Sequence, residues 1–294
     1  MRGSESRESI THWRLDDVAG IEFRSGVVTE PYPRHWHEEY QFCFIQTGGG
    51  ELFYRGIHHD TPATSLFIVH PGEVHSNETR VGCSFRSIYV DPELIRRTVS
   101  SICDGEQSLP FFSDPMIFDE EVIGSYLRLH VSPENSGTAE REEATLDLVS
   151  RLVARYAQTR LEMSAPGNEP TAVQTAREYI AAHHDRNITS GELARLVNLS
   201  PFHLNRVFTR EIGMPPHAFQ MQVRVAAAKR LIQNGQPLAS VAATTGFADQ
   251  SHFIRHFKRL MKITPGEYLK TACPNLTTTR YFRGEEPKRA GQLQ

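Results

Sequence analysis

Leu193-Ala194, Leu199-Ser200-Pro201, Leu204-Asn205-Arg206-Val207-Phe208-Thr209-Arg210, Pro216 and Phe219 make one pattern, and the chain then repeats it. The second copy reads Val241-Ala242, Phe247-Ala248-Asp249, Phe253-Ile254-Arg255-His256-Phe257-Lys258-Arg259, Pro265 and Tyr268. The offset is 48 residues at the alanines and 49 from Leu204/Phe253 onward, so one residue is inserted. Each copy predicts two short helices joined by a tight turn, with a basic second helix. One such pattern is weak, since many helical bundles show it. A tandem basic pair has one common use, which is reading two successive major grooves of DNA.

The residues around each copy set its boundaries. Thr189-Ser190-Gly191-Glu192 has capping-box spacing and starts a helix to about Val197. Asn198-Leu199 turns the chain, Ser200 caps the next helix and Pro201 suits its first position. Leu204, Val207 and Phe208 share one face of that helix, while Phe202, Asn205, Arg206 and Arg210 fall elsewhere. Gly213 follows its end. In the second copy Gly246 makes the turn and Asp249 caps. Phe253, His256/Phe257 and Leu260 face inward, and Gln250, Ser251, His252 and Arg255 lie on or near the open face. Thr264-Pro265-Gly266-Glu267 again has capping-box spacing. Between the copies, His217 to Asn234 is an alanine- and arginine-rich helix stopped by Gly235. Its length of about 27 Å suits two reading heads about one DNA turn apart.

Charge divides the chain at the same place. Residues 171–294 hold 17 Lys+Arg against 8 Asp+Glu, a net of +9. Residues 1–170 hold 15 against 27, a net of −12. All the lysines (Lys229, Lys258, Lys262, Lys270 and Lys288) lie in the basic part. A basic C-terminal module is the footprint of a polyanion partner, and the acidic part is not expected to bind DNA. No apolar stretch approaches the roughly 18 residues of a membrane span, and Met1 to Glu8 lacks an apolar signal core. Cys43, Cys83, Cys103 and Cys273 are scattered and read as free thiols of a cytoplasmic protein.

Residues 20–92 read as short strands: Ile21 to Phe23, Tyr40 to Ile45, Glu51 to Tyr54, Leu66 to Val69 and Ser87 to Val90. Gly48-Gly49-Gly50, Pro62 and Pro71-Gly72 read as the turns between them. This spacing predicts a small β-sandwich or barrel. A helix is expected at 92–102, mixed structure up to 130, and a helix from Glu140 to Met163 with Leu146, Val149, Val153, Tyr156 and Ala157 as its apolar stripe. The expected division is residues 1–163 for ligand sensing and dimerisation, a linker at 164–170, a DNA-binding domain at 171–273 and a polar tail at 274–294.

The run from Gly246 to Arg259, followed by Thr264-Pro265 and Tyr268, resembles the signature of AraC/XylS-type transcription regulators. The likeness covers about 100 residues. Lys262 departs from it, standing where the family usually has glycine after the second recognition helix. The resemblance implies base-reading positions at Phe202, Asn205 and Arg206 in the first copy. In the second it implies Gln250, Ser251 and Arg255, with His252 nearby. Arg210 and Lys258 join them as DNA-binding candidates. Arg206 and Arg255 occupy matching places, and each is open to a base contact or a phosphate contact. The implied function is a DNA-binding transcription regulator, with promoter DNA, RNA polymerase and a small-molecule effector as partners.

His35-Trp36-His37-Glu38-Glu39-Tyr40 and His70-Pro71-Gly72-Glu73-Val74-His75-Ser76 resemble the cupin-type effector domain of many such regulators. The fold expectation is thus two domains: an N-terminal all-β cupin-like barrel with linking helices, then an all-α tandem helix-turn-helix. His-x-His on a strand puts two imidazoles on one face, and a third from a Pro-Gly turn can complete a metal site. One reading is catalytic, with His35, His37, Glu39 or Glu38, and His75 holding iron, manganese or zinc. The other is a sensor whose barrel mouth binds a small molecule through His35, His37, Tyr40 and His75. An acid one or two residues beyond His37 reaches the same ion poorly from a strand, and the attached DNA-binding module favours sensing. No cofactor, metal or catalytic residue is therefore assigned. A third reading has the N-terminal domain only dimerise. The 140–163 stripe either packs on the barrel or forms the seam of a homodimer, as the family resemblance implies.

Overall fold

The computed structural model describes residues 9–14, 20–102, 108–131, 138–158 and 168–272. Strands β1 (Ser9–Arg14), β2 (Ile21–Val28), β3 (Tyr32–His35), β4 (Tyr40–Tyr54), β5 (Ile57–Pro62), β6 (Leu66–Val69) and β7 (His75–Val90) come first. Helix α1 (Pro92–Ile102), the short strands β8 (Phe111–Phe112) and β9 (Met116–Ile117), and helices α2 (Glu120–Val131) and α3 (Thr138–Tyr156) follow, then β10 (Ala157–Gln158). The sheet runs β1-β2-β7-β4-β6-β9, with β3 on β7 and β5 on β4. The long strands β4 and β7 pair from Tyr40↔Val90 to Tyr54↔His75, and shorter strands flank them on both sides, which curls the sheet into a barrel.

Both faces of these strands are buried, which explains their near-continuous apolar runs. Phe42, Phe44, Ile68 and Ile88 pack outward under α1, α2 and α3. Their alternate neighbours Cys43, Ile45, Phe67 and Phe85 face the lumen. Cys43 and Cys83 are buried free thiols, while Cys103 and Cys273 lie outside the described residues. The Gly48-Gly49-Gly50 turn expected from sequence is not formed: β4 runs through it as one strand, with register shifts between Ile45 and Gly50. A Cβ on Gly50 would lie 1.8 Å from the Glu78 carbonyl oxygen. The glycine therefore serves strand closeness at a bend, not a chain reversal.

The helices also differ in part from expectation. α2 occupies a stretch read as mixed. The helix expected to reach 163 ends at Tyr156, where the chain extends to pair β10 with β8. Residues 159–163 lie outside the described residues, as do 164–167 of the expected linker and the 274–294 tail. Val149 is buried with Leu148 and Leu152, and Val153, Tyr156 and Ala157 pack against the same core. The α3 stripe is consumed within the chain; of the residues expected at a dimer seam only Leu146 stands open, at 43% exposed.

The second half is helical: α4 (Asn168–Ala182), α5 (Ser190–Leu196), α6 (Pro201–Ile212), α7 (Pro216–Gln233), α8 (Leu238–Thr244), α9 (Gln250–Met261) and α10 (Pro265–Ala272). Each repeat has its own core, Leu204, Val207 and Phe208 in one, Phe253, Phe257 and Tyr268 in the other. Burying each such side chain contributes about 1.5–3 kcal/mol. The shared α7 serves both cores through Phe219 and Val223 on one side and Val225 and Ala228 on the other. The side chains of Thr189, Ser200 and Asp249 accept from the backbone N–H of Glu192, His203 and His252, respectively. Thr264 and Glu267 complete a reciprocal capping box. At Thr189 the box is half made, because the Glu192 carboxylate turns to Tyr179 and Arg186. Gly246 has φ +78, and a Cβ there would lie 2.2 Å from the Asp185 carbonyl oxygen. Lys262 takes the left-handed cap of α9 at φ 64, and its ammonium lies 5.0 Å from the centre of the Tyr32 ring. Among the described residues no helix is long and apolar enough to cross a membrane.

Candidate nucleic-acid interface and effector pocket

α6 and α9 are the second helices of the two repeats, and their inner faces are fixed by the phenylalanines above. That leaves Phe202, Asn205, Arg206 and Arg210 exposed on α6, and Gln250, Ser251, Arg255 and Lys258 exposed on α9, with His252 half-buried. Phe202 is 79% exposed, an unusual place for a phenylalanine with no apolar partner surface. Among the described residues neither Arg206 nor Arg255 pairs with a carboxylate, whereas Arg210 pairs with Glu211 at 2.9 Å. The α7 helix of 18 residues spans about 27 Å between the two units. All nine DNA-binding candidates thus lie on the outer or rim faces of the two repeats.

The barrel docks against this module through β3 and the residues after it. Arg34 donates to the Gly213 carbonyl at the end of α6 at 3.0 Å. Tyr32 donates to the Leu260 carbonyl in the last turn of α9 at 3.1 Å. Gln222 of α7 bonds both sides of the strand end, accepting from the Trp36 N–H at 2.8 Å and donating to the Arg34 carbonyl at 3.0 Å. Trp36 stacks on Phe219 with ring centres 5.4 Å apart.

A buried charge set completes the junction. Lys229 of α7 lies 2.8 Å from Glu39 and 3.1 Å from Glu22. The Tyr268 hydroxyl donates to Glu22 at 2.9 Å, and Arg230 pairs with Glu38 at the rim. Burial alone would push the Glu22 carboxyl up, but Lys229 and the His12 hydrogen bond hold it well below the usual carboxylate range. Burial would likewise lower the Lys229 ammonium, but Glu22 and Glu39 hold it well above its usual value. Sequence reasoning missed Glu22, Lys229 and Arg24. The available signal was in β2, where Glu22 and Arg24 alternate with Ile21 and Phe23 and so share the inward face.

His35, His37 and His75 meet at the barrel mouth, with ring centres 4.1 Å apart for His35 and His75 and 5.0 Å for His37 and His75. Burial, then the neighbouring His37, lowers His35 to about 3, and burial lowers His37 and His75 as well. The three rings are neutral at physiological pH. His35 and His37 bond the carbonyls of Pro33 and Glu39, and His37 also reaches Gln41 at 3.1 Å. The acids a metal site would recruit, Glu38 and Glu39, are turned to Arg230 and Lys229. Among the described residues no three His, Cys, Asp or Glu side chains are arranged to hold a metal ion. Tyr40 is not part of this group. It lies in the outward core and donates to the Pro110 carbonyl at 2.8 Å. Behind the mouth, a small lumen with about 50 Å³ of free space is lined by Arg24, Gln41, Tyr89, Phe67, Phe85 and others.

The comparisons with known proteins agree with this geometry. The family description "AraC-like ligand binding domain" matches residues 23–161, and "Helix-turn-helix domain" matches residues 193–271. An uncharacterised HTH-type transcriptional regulator of Bacillus subtilis, YbfI, is 31% identical over 244 residues, 81% of this chain and 88% of the relative. The chain belongs to the AraC family of transcriptional regulators. The HTH-type transcriptional activator RhaS of Pectobacterium carotovorum is 22% identical over 248 residues, covering 80% of this chain and 86% of that one. The arabinose operon regulatory protein of Escherichia coli is 30% identical over 139 residues, 46% of this chain and 47% of its own. Wild-type ToxT from Vibrio cholerae, solved with a bound unsaturated fatty acid, shares the two-domain fold with a TM-score of 0.53. It is 14% identical, over 93% of this chain and 99% of that chain. This AraC-family chain is a DNA-binding regulator with a ligand-binding barrel.

Proposed function

We propose that this chain reads promoter DNA through α6 and α9 in successive major grooves, under control of a small effector held in the barrel lumen. Arg206 and Arg255 make base contacts in this reading. Phe202, Asn205, Gln250, Ser251 and His252 complete the reading faces, and Arg210 and Lys258 anchor phosphates. His35, His37 and His75 form the neutral, hydrogen-bonded rim of the effector site, and no catalysis is assigned to them. Tyr40 supports the barrel wall from the other face. The regulator works as a cytoplasmic homodimer that recruits RNA polymerase, as an activator. One observation carries the reading: two exposed basic helices, with no carboxylate partner at Arg206 or Arg255 among the described residues, joined by α7, about 27 Å long, and tied at their ends to the ligand-binding barrel.

The experiment is promoter binding by the full chain across a salt series, with Arg206→Ala and Arg255→Ala. Affinity falls linearly in log salt for the wild type. Each substitution costs about 1–3 kcal/mol and relaxes preference at one base pair, the two base pairs lying about one turn apart. A uniform loss over all sequences would make both arginines phosphate anchors. Absence of salt-dependent binding to any promoter fragment would sink the reading.

A further inference from the structure

We propose that the effector is a small carboxylate with an apolar body, that Arg24 binds its carboxylate inside the barrel, and that Tyr32 passes the event to α9. The proposal rests on the lumen as the effector site and adds the ligand class and the coupling residue.

Arg24 is 5% exposed, and a guanidinium does not shed its proton in a protein. Among the described residues it has no carboxylate partner. Its Nη1 donates to the Tyr89 hydroxyl at 3.4 Å, its Nη2 to the Tyr32 hydroxyl, and its Nε finds no partner among them. Glu22, two residues away on the same strand face, is engaged by Lys229 and Tyr268. A buried cation without an anion costs several kcal/mol. The neutral phenol oxygens only soften that cost, and a carboxylate meeting the guanidinium fork with two oxygens removes it.

The surroundings fit the same ligand. Tyr89 accepts from Arg24 and also from Gln41, at 3.1 Å, so its own proton is directed elsewhere and can meet a ligand oxygen. Val28, Ile45, Phe67 and Phe85 supply apolar wall around the guanidinium, and the Phe85 ring centre lies 5.5 Å from it. Glu78 also lines the cavity, but it is exposed to solvent. With about 50 Å³ of free space, the lumen admits the apolar body of the ligand only as wall side chains move apart. A metal ion or a phosphodiester does not suit a site with one buried arginine and a largely aliphatic and aromatic wall.

The coupling follows from shared hydrogen bonds. Tyr32 accepts from Arg24 and donates to the Leu260 carbonyl of α9, while its ring carries the Lys262 ammonium. A carboxylate on Arg24 competes for Nη2 and releases one of the bonds that hold Tyr32. Differential contact of this kind is what an effector needs in order to shift the arrangement of α9.

The test uses the full chain with sodium hexanoate and sodium benzoate as probes, and hexanol and benzyl alcohol as uncharged counterparts. Calorimetry and thermal unfolding read binding. Promoter affinity reads coupling. The carboxylates raise the melting temperature with concentration and the alcohols do not. Arg24→Met folds, because it removes an uncompensated charge, and loses carboxylate binding at least tenfold. Tyr32→Phe keeps carboxylate affinity within about threefold but loses the change in promoter affinity. If Arg24→Met binds the carboxylates as wild type does, or if the alcohols bind equally well, the ligand class is overturned while the lumen remains the effector site. If neither carboxylate binds at millimolar concentration, the ligand class is overturned likewise. If Tyr32→Phe responds normally, the coupling is overturned. Loss of promoter binding in the unliganded wild type would instead overturn the DNA-reading function.

Discussion

Lys229→Met removes one charge from the buried set joining α7 to the barrel and keeps most of the stem's volume. Its Nζ lies 2.8 Å from Glu39 and 3.1 Å from Glu22. The Glu22 side chain is 6% exposed, so water cannot replace the lost ammonium. Breaking one side of a buried ion pair costs about 3–5 kcal/mol. Tyr268 and Gln233 remain as donors to Glu22, which places the loss at the lower end, about 3 kcal/mol. At about 2–4 °C per kcal/mol, the melting temperature falls by about 6–12 °C at pH 7.5. The pH dependence has a definite sign. The wild-type Glu22 carboxyl is held below its usual range, so its contribution is present above about pH 4.5 and is lost as pH falls further. In the variant the same carboxyl is buried without its cation and titrates above its usual value. The variant therefore closes on the wild type as pH falls from 7.5 to 5. Urea unfolding followed by tryptophan fluorescence reads this, because Trp36 is stacked on Phe219 at the domain junction. Glu22→Gln combined with Lys229→Met recovers part of the loss. A Lys229→Met cost below about 0.5 kcal/mol at pH 7.5, or a gap that widens at pH 5, refutes the assignment of this set as a stabilising buried network.

Three further outcomes follow from the geometry. Gly246→Ala forces a Cβ toward the Asp185 carbonyl at a backbone angle of +78° and costs about 3 kcal/mol or more, read as a lower urea midpoint; a neutral substitution would mean the α8–α9 turn relaxes freely. Asp249→Ala removes the cap of α9 and costs about 1 kcal/mol, while Asp249→Asn keeps the bond to the His252 N–H and costs little; equal effects of the two would show that the cap is not the cause. Burial lowers His12 and His130 to about 4 and His35 to about 3 in the folded chain. Unfolded histidine takes its proton near pH 6.5, so stability is complete above that and declines toward pH 4, by about 2 kcal/mol per group at pH 5. A urea midpoint unchanged between pH 7.5 and 5 contradicts the neutral burial of these rings.

The features legible in the residues alone obey short-range rules. Ser200, Asp249 and the Thr264–Glu267 pair act within four residues, and the apolar faces of α6 and α9 repeat every three or four. The open faces of α6 and α9 are therefore legible from spacing alone. Gly48-Gly49-Gly50 misleads because glycine serves both reversal and close strand approach, and only the partner strand distinguishes them. Tyr40 misleads because the strand period assigns alternate faces without saying which face is the lumen. The Lys229–Glu22 contact and the Tyr32–Leu260 bond join residues about two hundred positions apart. No local pattern encodes such a pairing. An acid and an arginine inside an otherwise apolar strand are the trace it leaves.

The four residues of β3 touch the ends of both reading helices, through Arg34 at Gly213 and Tyr32 at Leu260. Neither contact uses a residue on a reading face. On the proposed assignment of the two sites, base preference and chemical preference are stored in separate parts of the chain, with a short strand running between them. On that assignment a lineage can change what it senses by editing lumen residues other than Arg24 and Tyr32, or where it binds by editing α6 and α9, and keep the connection intact in either case. That separation suits duplication and divergence, since a copied gene can acquire a new signal without losing its old address.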